Sequence, residues 1–203
     1  MGNYLDSGNV SHGFILNGTK YTFVDAPGAT ATTLTSLNPS GEISGFTCSD
    51  PACGAFGATN ITHSFVISKT GNFKFFDPPG AISSFPAVVI PSGAVVGSFT
   101  DNAGGNHGYI LDHGKYTTID FPGAIFTEVL GGNPEGDVVG LYVDTSFVGH
   151  GFLLKHGEFT SFDFPGATFT DGTGINPPGI IVGAYFDSAN VQHGYVRRPK
   201  PIS

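Results

Sequence analysis

Tryptophan is absent, methionine occurs once, cysteine twice, and only 12% of the 203 residues are charged. Each shortage narrows the field. Eight cations against sixteen acids give a net charge of −8 at pH 7, a poor surface for a phosphate backbone, so no nucleic-acid partner is expected. Three of the eight cations, Arg197, Arg198 and Lys200, fall in the last seven residues and read as a solvated tail. No apolar run is long enough to span a bilayer, so no membrane insertion is expected. The opening residues lack the basic and apolar blocks of a secretory signal peptide. Cys48-Ser-Asp-Pro-Ala-Cys53 has no second cysteine pair to complete a tetrahedral site, so no metal site is expected. Two readings of that pair stay open: free thiols, or a local Cys48–Cys53 disulfide. The disulfide would clip a loop, add about 2 kcal/mol through loop entropy and suit an oxidising compartment. No nucleophile elbow, phosphate-cradling glycine loop or His-x-x-x-His helix is present, and no cofactor is expected.

What is abundant is glycine, at 31 residues, and phenylalanine, at 19. Glycine and proline at such levels often mean disorder, but here they recur at fixed places between apolar runs and so mark turns. The triplets His12-Gly-Phe, His63-Ser-Phe, His107-Gly-Tyr, His150-Gly-Phe and His193-Gly-Tyr are separated by 51, 44, 43 and 43 residues. Four closing groups follow them: Asp25-Ala-Pro-Gly-Ala, Asp77-Pro-Pro-Gly-Ala, Asp120-Phe-Pro-Gly-Ala and Asp163-Phe-Pro-Gly-Ala. A fixed period in the forties is the mark of a propeller or a similar array.

Each period resolves into four short strands. In the last full one they are Phe152 to Lys155, Phe159 to Asp163, Thr168 to Asn176 and Ile180 to Asp187, with His156-Gly157, Pro165-Gly166 and Pro177-Pro-Gly179 as turns. No segment has helical apolar spacing over ten residues, so the chain reads as all-β. The strongest strand recurs as Glu42-Ile-Ser-Gly45, Ala94-Val-Val-Gly97, Asp137-Val-Val-Gly140 and Ile180-Ile-Val-Gly183. It is apolar on both faces, as a blade packed between neighbouring blades would be. The small Gly lets adjacent sheets approach closely. The expectation is a single domain over residues 1–203, a small β-propeller of four-stranded blades, five in number, with four as the alternative. Tyr4-Leu-Asp6 before His12 matches Tyr185-Phe-Asp187 before His193, so both ends supply the same portion of a unit. A slice of a longer array that pairs with another copy is a third possibility.

The repeat resembles the bacterial extracellular repeats of the HAF type, on the strength of Gly174-Ile-Asn176, Ile181-Val-Gly183 and His193-Gly-Tyr195 and of similar sets through nearly the whole chain. It departs from them in carrying Gly or Ser at the middle of each triplet. The resemblance implies a secreted or cell-surface propeller-like protein. It implies no settled activity and transfers no catalytic residue.

One constellation carries chemistry. An Asp precedes the triplet His by six residues in four units, as Asp6 and His12, Asp101 and His107, Asp144 and His150, and Asp187 and His193. An aromatic residue stands two before each Asp: Tyr4, Phe99, Tyr142 and Tyr185. A period of two puts aromatic and Asp on one face of a strand. A hairpin would then bring Asp to His. One reading is structural, an Asp accepting the imidazole N–H and pinning the loop. The other is a ligand site in each blade, with the ring as a flat platform for a sugar and with Asp, His and the nearby Asn9, Asn102, Asn106 and Asn190 bonding hydroxyls. Weak sites repeated on one ring would add avidity on a glycan surface. The lack of Trp counts against it. The Asp-x-Pro-Gly-Ala corners read as structural, their Asp capping the following turn.

The second unit departs, with Thr47 in place of the aromatic, Ser49 in place of the Asp, and a longer loop from Gly54 to Thr62 in which Phe56 could be a contact. The function expected is a non-enzymatic extracellular module binding a glycan or another small ligand. The alternatives are a hydrolase or lyase with Asp and His at a channel mouth, and a structural or protein-interaction scaffold.

Overall fold

Three of the four strands expected in the last full period are present, with ends shifted by up to three residues, and the expected strand Thr168 to Asn176 is split in two in a computed structural model, which describes residues 1–51 and 61–199. Among the described residues every regular element is a strand. The first sheet holds β1 (Gly2–Leu5), β2 (Ser11–Asn17) and β3 (Lys20–Val24). The second holds β4 (Ala31–Leu37), β5 (Ile43–Cys48), β6 (Thr62–Ile67) and β7 (Phe73–Phe76). The third holds β8 (Ala81–Val89), β9 (Val95–Asp101), β10 (Asn106–Asp112) and β11 (Lys115–Ile119). The fourth holds β12 (Phe126–Gly132), β13 (Val138–Val143), β14 (Gly149–Lys155) and β15 (Glu158–Phe162). A fifth group follows as β16 (Phe169–Thr170), β17 (Gly174–Ile175), β18 (Ile181–Phe186) and β19 (Gln192–Arg197). Its strands join those of the fourth through one parallel pair, Gly149 with Phe169, and it is treated below as a fifth sheet. Each full sheet is an antiparallel meander in chain order. The first unit holds strands two to four of the pattern. The last holds strands one to three, its first strand split into β16 and β17.

The turns follow from local chemistry. His113-Gly114 and His156-Gly157 both carry positive φ at both positions, the twist-matched hairpin turn of two-residue loops. The Pro-Gly corners put Gly28, Gly80, Gly123 and Gly166 at φ of 75° to 82°, as a type II turn requires.

Sheet packs on sheet through one repeated device. The ring at the third position of each His triplet lies across from a strand-two Gly: Phe65 from Gly45, Tyr109 from Gly97, Phe152 from Gly140 and Tyr195 from Gly183. A Cβ at Gly140 would run into the Glu128 carbonyl and sit 2.9 Å from the Phe152 ring. The glycine of the Val-Val-Gly motif therefore makes room for the ring and for the neighbouring strand, which is the close approach its size suggested. The ring then packs on the preceding sheet: Phe65 with Ile15 and Val24, Tyr109 with Val66 and Phe76, Phe152 with Val96, Ile110 and Ile119, Tyr195 with Val139, Leu153 and Phe162. Phe65, Tyr109 and Phe152 are wholly buried, which is worth about 3 kcal/mol per ring.

Cys48 ends β5 and is buried. Its expected partner Cys53 and the expected loop contact Phe56 lie outside the described residues.

Candidate functional site

The same ends of the sheets carry the repeated Asp and His. Strand two ends at the Asp, a short loop follows, and the His opens strand three, so a hairpin juxtaposes the two as its spacing suggested. Asp101 shows how the Asp works. Its Oδ1 accepts the backbone N–H of Ala103 at 2.8 Å and of Gly105 at 2.7 Å, which closes the loop. Asp6, Asp144 and Asp187 do the same for Gly8 and Val10, Ser146 and Val148, and Ala189 and Val191. These amide bonds hold all four carboxyls below their ordinary pKa, with partial burial opposing and the nearby His reinforcing.

The second oxygen faces the His. Nε2 of His12, His107 and His150 lies 3.5, 3.4 and 3.4 Å from Asp6, Asp101 and Asp144, and that of His193 lies 3.0 Å from Asp187. The closer partner of the first three is one the sequence did not suggest. It is the corner Asp of the Pro-Gly-Ala group, on Nδ1: Asp25 at 2.7 Å from His12, Asp120 at 2.7 Å from His107 and Asp163 at 2.9 Å from His150. His63 binds Asp77 in the same way at 2.8 Å. In three sheets the imidazole is thus clamped between two carboxylates. An imidazole satisfies both only when both nitrogens carry protons. For His12 the Asp25 hydrogen bond raises the pKa over opposing burial. For His107 burial works against protonation, and Asp120 and then Asp101 outweigh it.

Those corner carboxylates do not cap their own turns, as their type suggested. A hydroxyl seven residues on takes that role: Thr32 accepts from Ala26 N–H, Thr127 from Phe121 N–H and Thr170 from Phe164 N–H. In the third sheet the residue is Pro78, which has no N–H to give. Ser84, in the threonine's place, turns its hydroxyl to Asp77 instead.

The aromatic residues stack on the same histidines. Tyr4 lies 5.2 Å from His12, Phe99 5.1 Å from His107, Tyr142 5.0 Å from His150 and Tyr185 5.0 Å from His193, centroid to centroid. Two of the four have a second ring stacked flat on them. Phe121 stacks on Tyr142 at 3.6 Å with planes 2° apart, and Phe164 on Tyr185 at 3.8 Å with planes 7° apart. In both, the linker into the sheet occupies the platform a ligand ring would want. The third sheet has Pro78 at that linker position. There a surface depression of about 530 Å³ lies between Pro79 and Gly80 on one side and Phe99, Asp101, Asn102, His107, Thr118 and Asp120 on the other. A smaller one of about 340 Å³ adjoins His107 and Asp120, between Asn106 and Phe121, and Asn106 Oδ1 is buried with no hydrogen-bond partner among the described residues. In the first and second sheets the residue in that place, Ser11 or Thr62, gives its hydroxyl to the next sheet's backbone, at Thr32 O or Ser84 O.

Sequence reasoning missed one further group. Glu128 and Asp171 occupy equivalent places on the first strands of the fourth and fifth sheets. Burial and then the Asp171 charge raise Glu128 to about 7, and burial raises Asp171 against a hydrogen bond from Ala184 N–H. The signal was available: Phe126-Thr-Glu128 and Phe169-Thr-Asp171 fall at one repeat offset, an acid inside an otherwise Thr and apolar strand.

The sequence matches no protein-family model, so the likeness to HAF-type repeats gains no support there. No curated protein is similar to it in sequence. Among solved structures it is similar in fold to a variant of Aleuria aurantia lectin in complex with alpha-methyl-L-fucoside, with a TM-score of 0.54 and 11% identity over 96% of this chain and 68% of that one.

Proposed function

We propose that this chain is a propeller-like array of five sheets, its first and fifth sheets not packed on each other, that binds carbohydrate at the cell exterior. The third sheet supplies its best-formed site, around Phe99, Asp101, Asn102, His107, Thr118 and Asp120. The observation that carries the reading is the depression at that sheet, where the repeated Asp–His–Asp clamp meets open space. Fold similarity to a protein crystallised with a fucoside supports the ligand class. The chemistry suits a polyol. Carboxylate oxygens accept from hydroxyls, and the Asn102 amide and Thr118 hydroxyl can bond others. Clamping holds these groups in place before the ligand arrives, which lowers the entropic cost of binding. The other expected residues, Tyr4, Asp6, His12, Tyr142, Asp144, His150, Tyr185, Asp187 and His193, form weaker or self-filled versions of the site.

Calorimetry and thermal-shift titration with alpha-methyl-L-fucoside and a panel of simple methyl glycosides test this. Binding in the millimolar-to-micromolar range is expected, lost in Asp120→Ala and kept in Asp163→Ala. No heat and no melting shift with any glycoside would overturn it.

A second reading, a scaffold without a small ligand, is favoured by the loop amides that already engage one oxygen of each strand-two Asp. It expects Asp144→Ala to lower the melting temperature while no glycoside shifts it.

A further inference from the structure

The four joints between consecutive sheets share one construction. One face of a sheet presents its triplet ring and neighbouring aromatics backward, and the preceding sheet receives them on aliphatic residues. The buried rings are Phe65, Tyr109 and Phe152, at 0%, 1% and 0% exposure. Receivers are cross-strand pairs such as Val96 with Ile110 and Val139 with Leu153, and Val96 and Val139 are themselves buried.

The first sheet carries the same backward face with no sheet packed on it among the described residues. Phe14 stands where Phe65 and Phe152 stand. Around it Tyr4, Tyr21 and Phe23 pack as a connected set of rings, and Tyr21 and Phe23 are 56% and 64% exposed. Across the strands, Leu16 pairs with Tyr21 and is also exposed. The fifth sheet carries the matching receiver with no sheet packed on it among the described residues. Val182 and Val196 form the cross-strand pair that corresponds to Val139 and Leu153, and they are 45% and 60% exposed. A ring face and a receiver face of a joint already used four times thus stand open on one chain. Exposed apolar surface concentrated this way marks an association site.

We infer that copies of this chain join head to tail, the ring face of the first sheet in one copy packing on the Val182 and Val196 face of the fifth sheet in the next. The contact is heterologous, so it adds copies in one direction until a ring closes or a filament grows. The first sheet lacks the innermost strand that β4, β8, β12 and β16 with β17 bring to the internal joints. Part of the usual contact is therefore missing, and the joint is expected to be reversible and concentration-dependent. The inference is independent of the carbohydrate reading, since the substitutions below avoid the Asp and His.

Sedimentation velocity on the full chain, over a micromolar-to-millimolar series, tests it together with two single variants, Tyr21→Lys and Val196→Lys. Both sites are exposed, and an unchanged melting temperature shows that folding is intact. The wild type is expected to grow with concentration, and each variant alone to stay monomeric. An equimolar mixture of the two variants keeps one open ring face and one open receiver, and is expected to give dimers that grow no further. A wild type that stays monomeric throughout overturns the inference. So does a Val196→Lys variant that still dimerises, which would mean ring face on ring face, and so does a mixture of the variants that stays monomeric.

Discussion

The third and fourth sheets carry the same clamp and differ in what lies against it. His107 and His150 each sit between two carboxylates, and each has an aromatic ring stacked on it. The linker into the fourth sheet then lays Phe121 flat on Tyr142, whereas the linker into the third has Pro78, and a depression opens beside Phe99. A residue pattern repeated in four units thus does not leave the same open space in each. One variable position in an otherwise constant corner decides whether the platform is free. The clamp answers a folding need, closing the loop after strand two and tying it to the corner, and binding can be added only where that corner stands back.

The largest expected effect comes from turning the fourth sheet into the third. Phe121 also meets Phe152 and Phe159, so Phe121→Ala removes a packed ring and should lower stability by about 3 kcal/mol in denaturant titration. The same change uncovers Tyr142. If the carbohydrate reading holds, calorimetric stoichiometry should rise by one site. A stability loss with no new site would mean that the ring was packing alone.

The reverse exchange is smaller. Pro78→Phe should lay a ring on Phe99 and fill the depression, weakening glycoside binding about tenfold or more, the effect of losing roughly 1.4 kcal/mol of contact. It also returns a backbone N–H that Ser84 can accept, as Thr127 does from Phe121. The melting temperature should therefore hold steady while binding falls. Undiminished binding would place the ligand elsewhere.

Acidity separates the clamps from the inner strands. A carboxyl whose pKa is raised on folding costs stability as pH climbs from its unfolded value to its folded one. For Glu128 that interval runs from 4.5 to about 7. Glu128→Gln should therefore raise the melting temperature above pH 7 and change little below 4.5. His12 and His107, raised from 6.5, give stability that is complete below that value and fades as pH rises through their folded pKa; this component should survive in Glu128→Gln. On the acid side, Asp6, Asp101, Asp144 and Asp187 are lowered, so their contribution holds above 3.8 and is lost as pH falls below it. A wild type and a Glu128→Gln variant with superimposable pH profiles would show Glu128 to be solvated.

Much of this was legible because repetition exposes offsets. The period located the strands, the Val-Val-Gly strand announced its burial on both sides, and the six-residue gap from Asp to His told of a hairpin. The corner Asp was misjudged, because a carboxylate before Pro-Gly looks like a turn cap. Its partner lies thirteen residues back on a neighbouring strand, as with His107 and Asp120, and only the hairpin register brings them together. Phe121 and Phe164 stand in the sequence only as the variable residue of the Asp-x-Pro-Gly-Ala corner. That they cover Tyr142 and Tyr185 depends on how one sheet is set against the next, which no local pattern encodes. The open faces of the first and fifth sheets were hidden for the same reason: an apolar strand looks alike whether or not a neighbour covers it.

The smallest effect concerns the loop of the fourth sheet. At the position before Val10, Gly105, Val148 and Val191 the chain takes a left-handed conformation, and it places Asn9, Gly104 and Asn190 there, residues that tolerate it. The fourth sheet places Phe147 there instead, at φ 63° and 81% exposed. A bulky residue in that region costs about 1 kcal/mol, and so exposed a side chain has little packing to offset it. Phe147→Asn should thus raise stability by about that amount in denaturant titration. If the gain appears and glycoside binding or head-to-tail association falls, the strained ring is a contact held at the expense of stability. If stability drops instead, the ring packs on its own chain and the comparison of loops fails at this position.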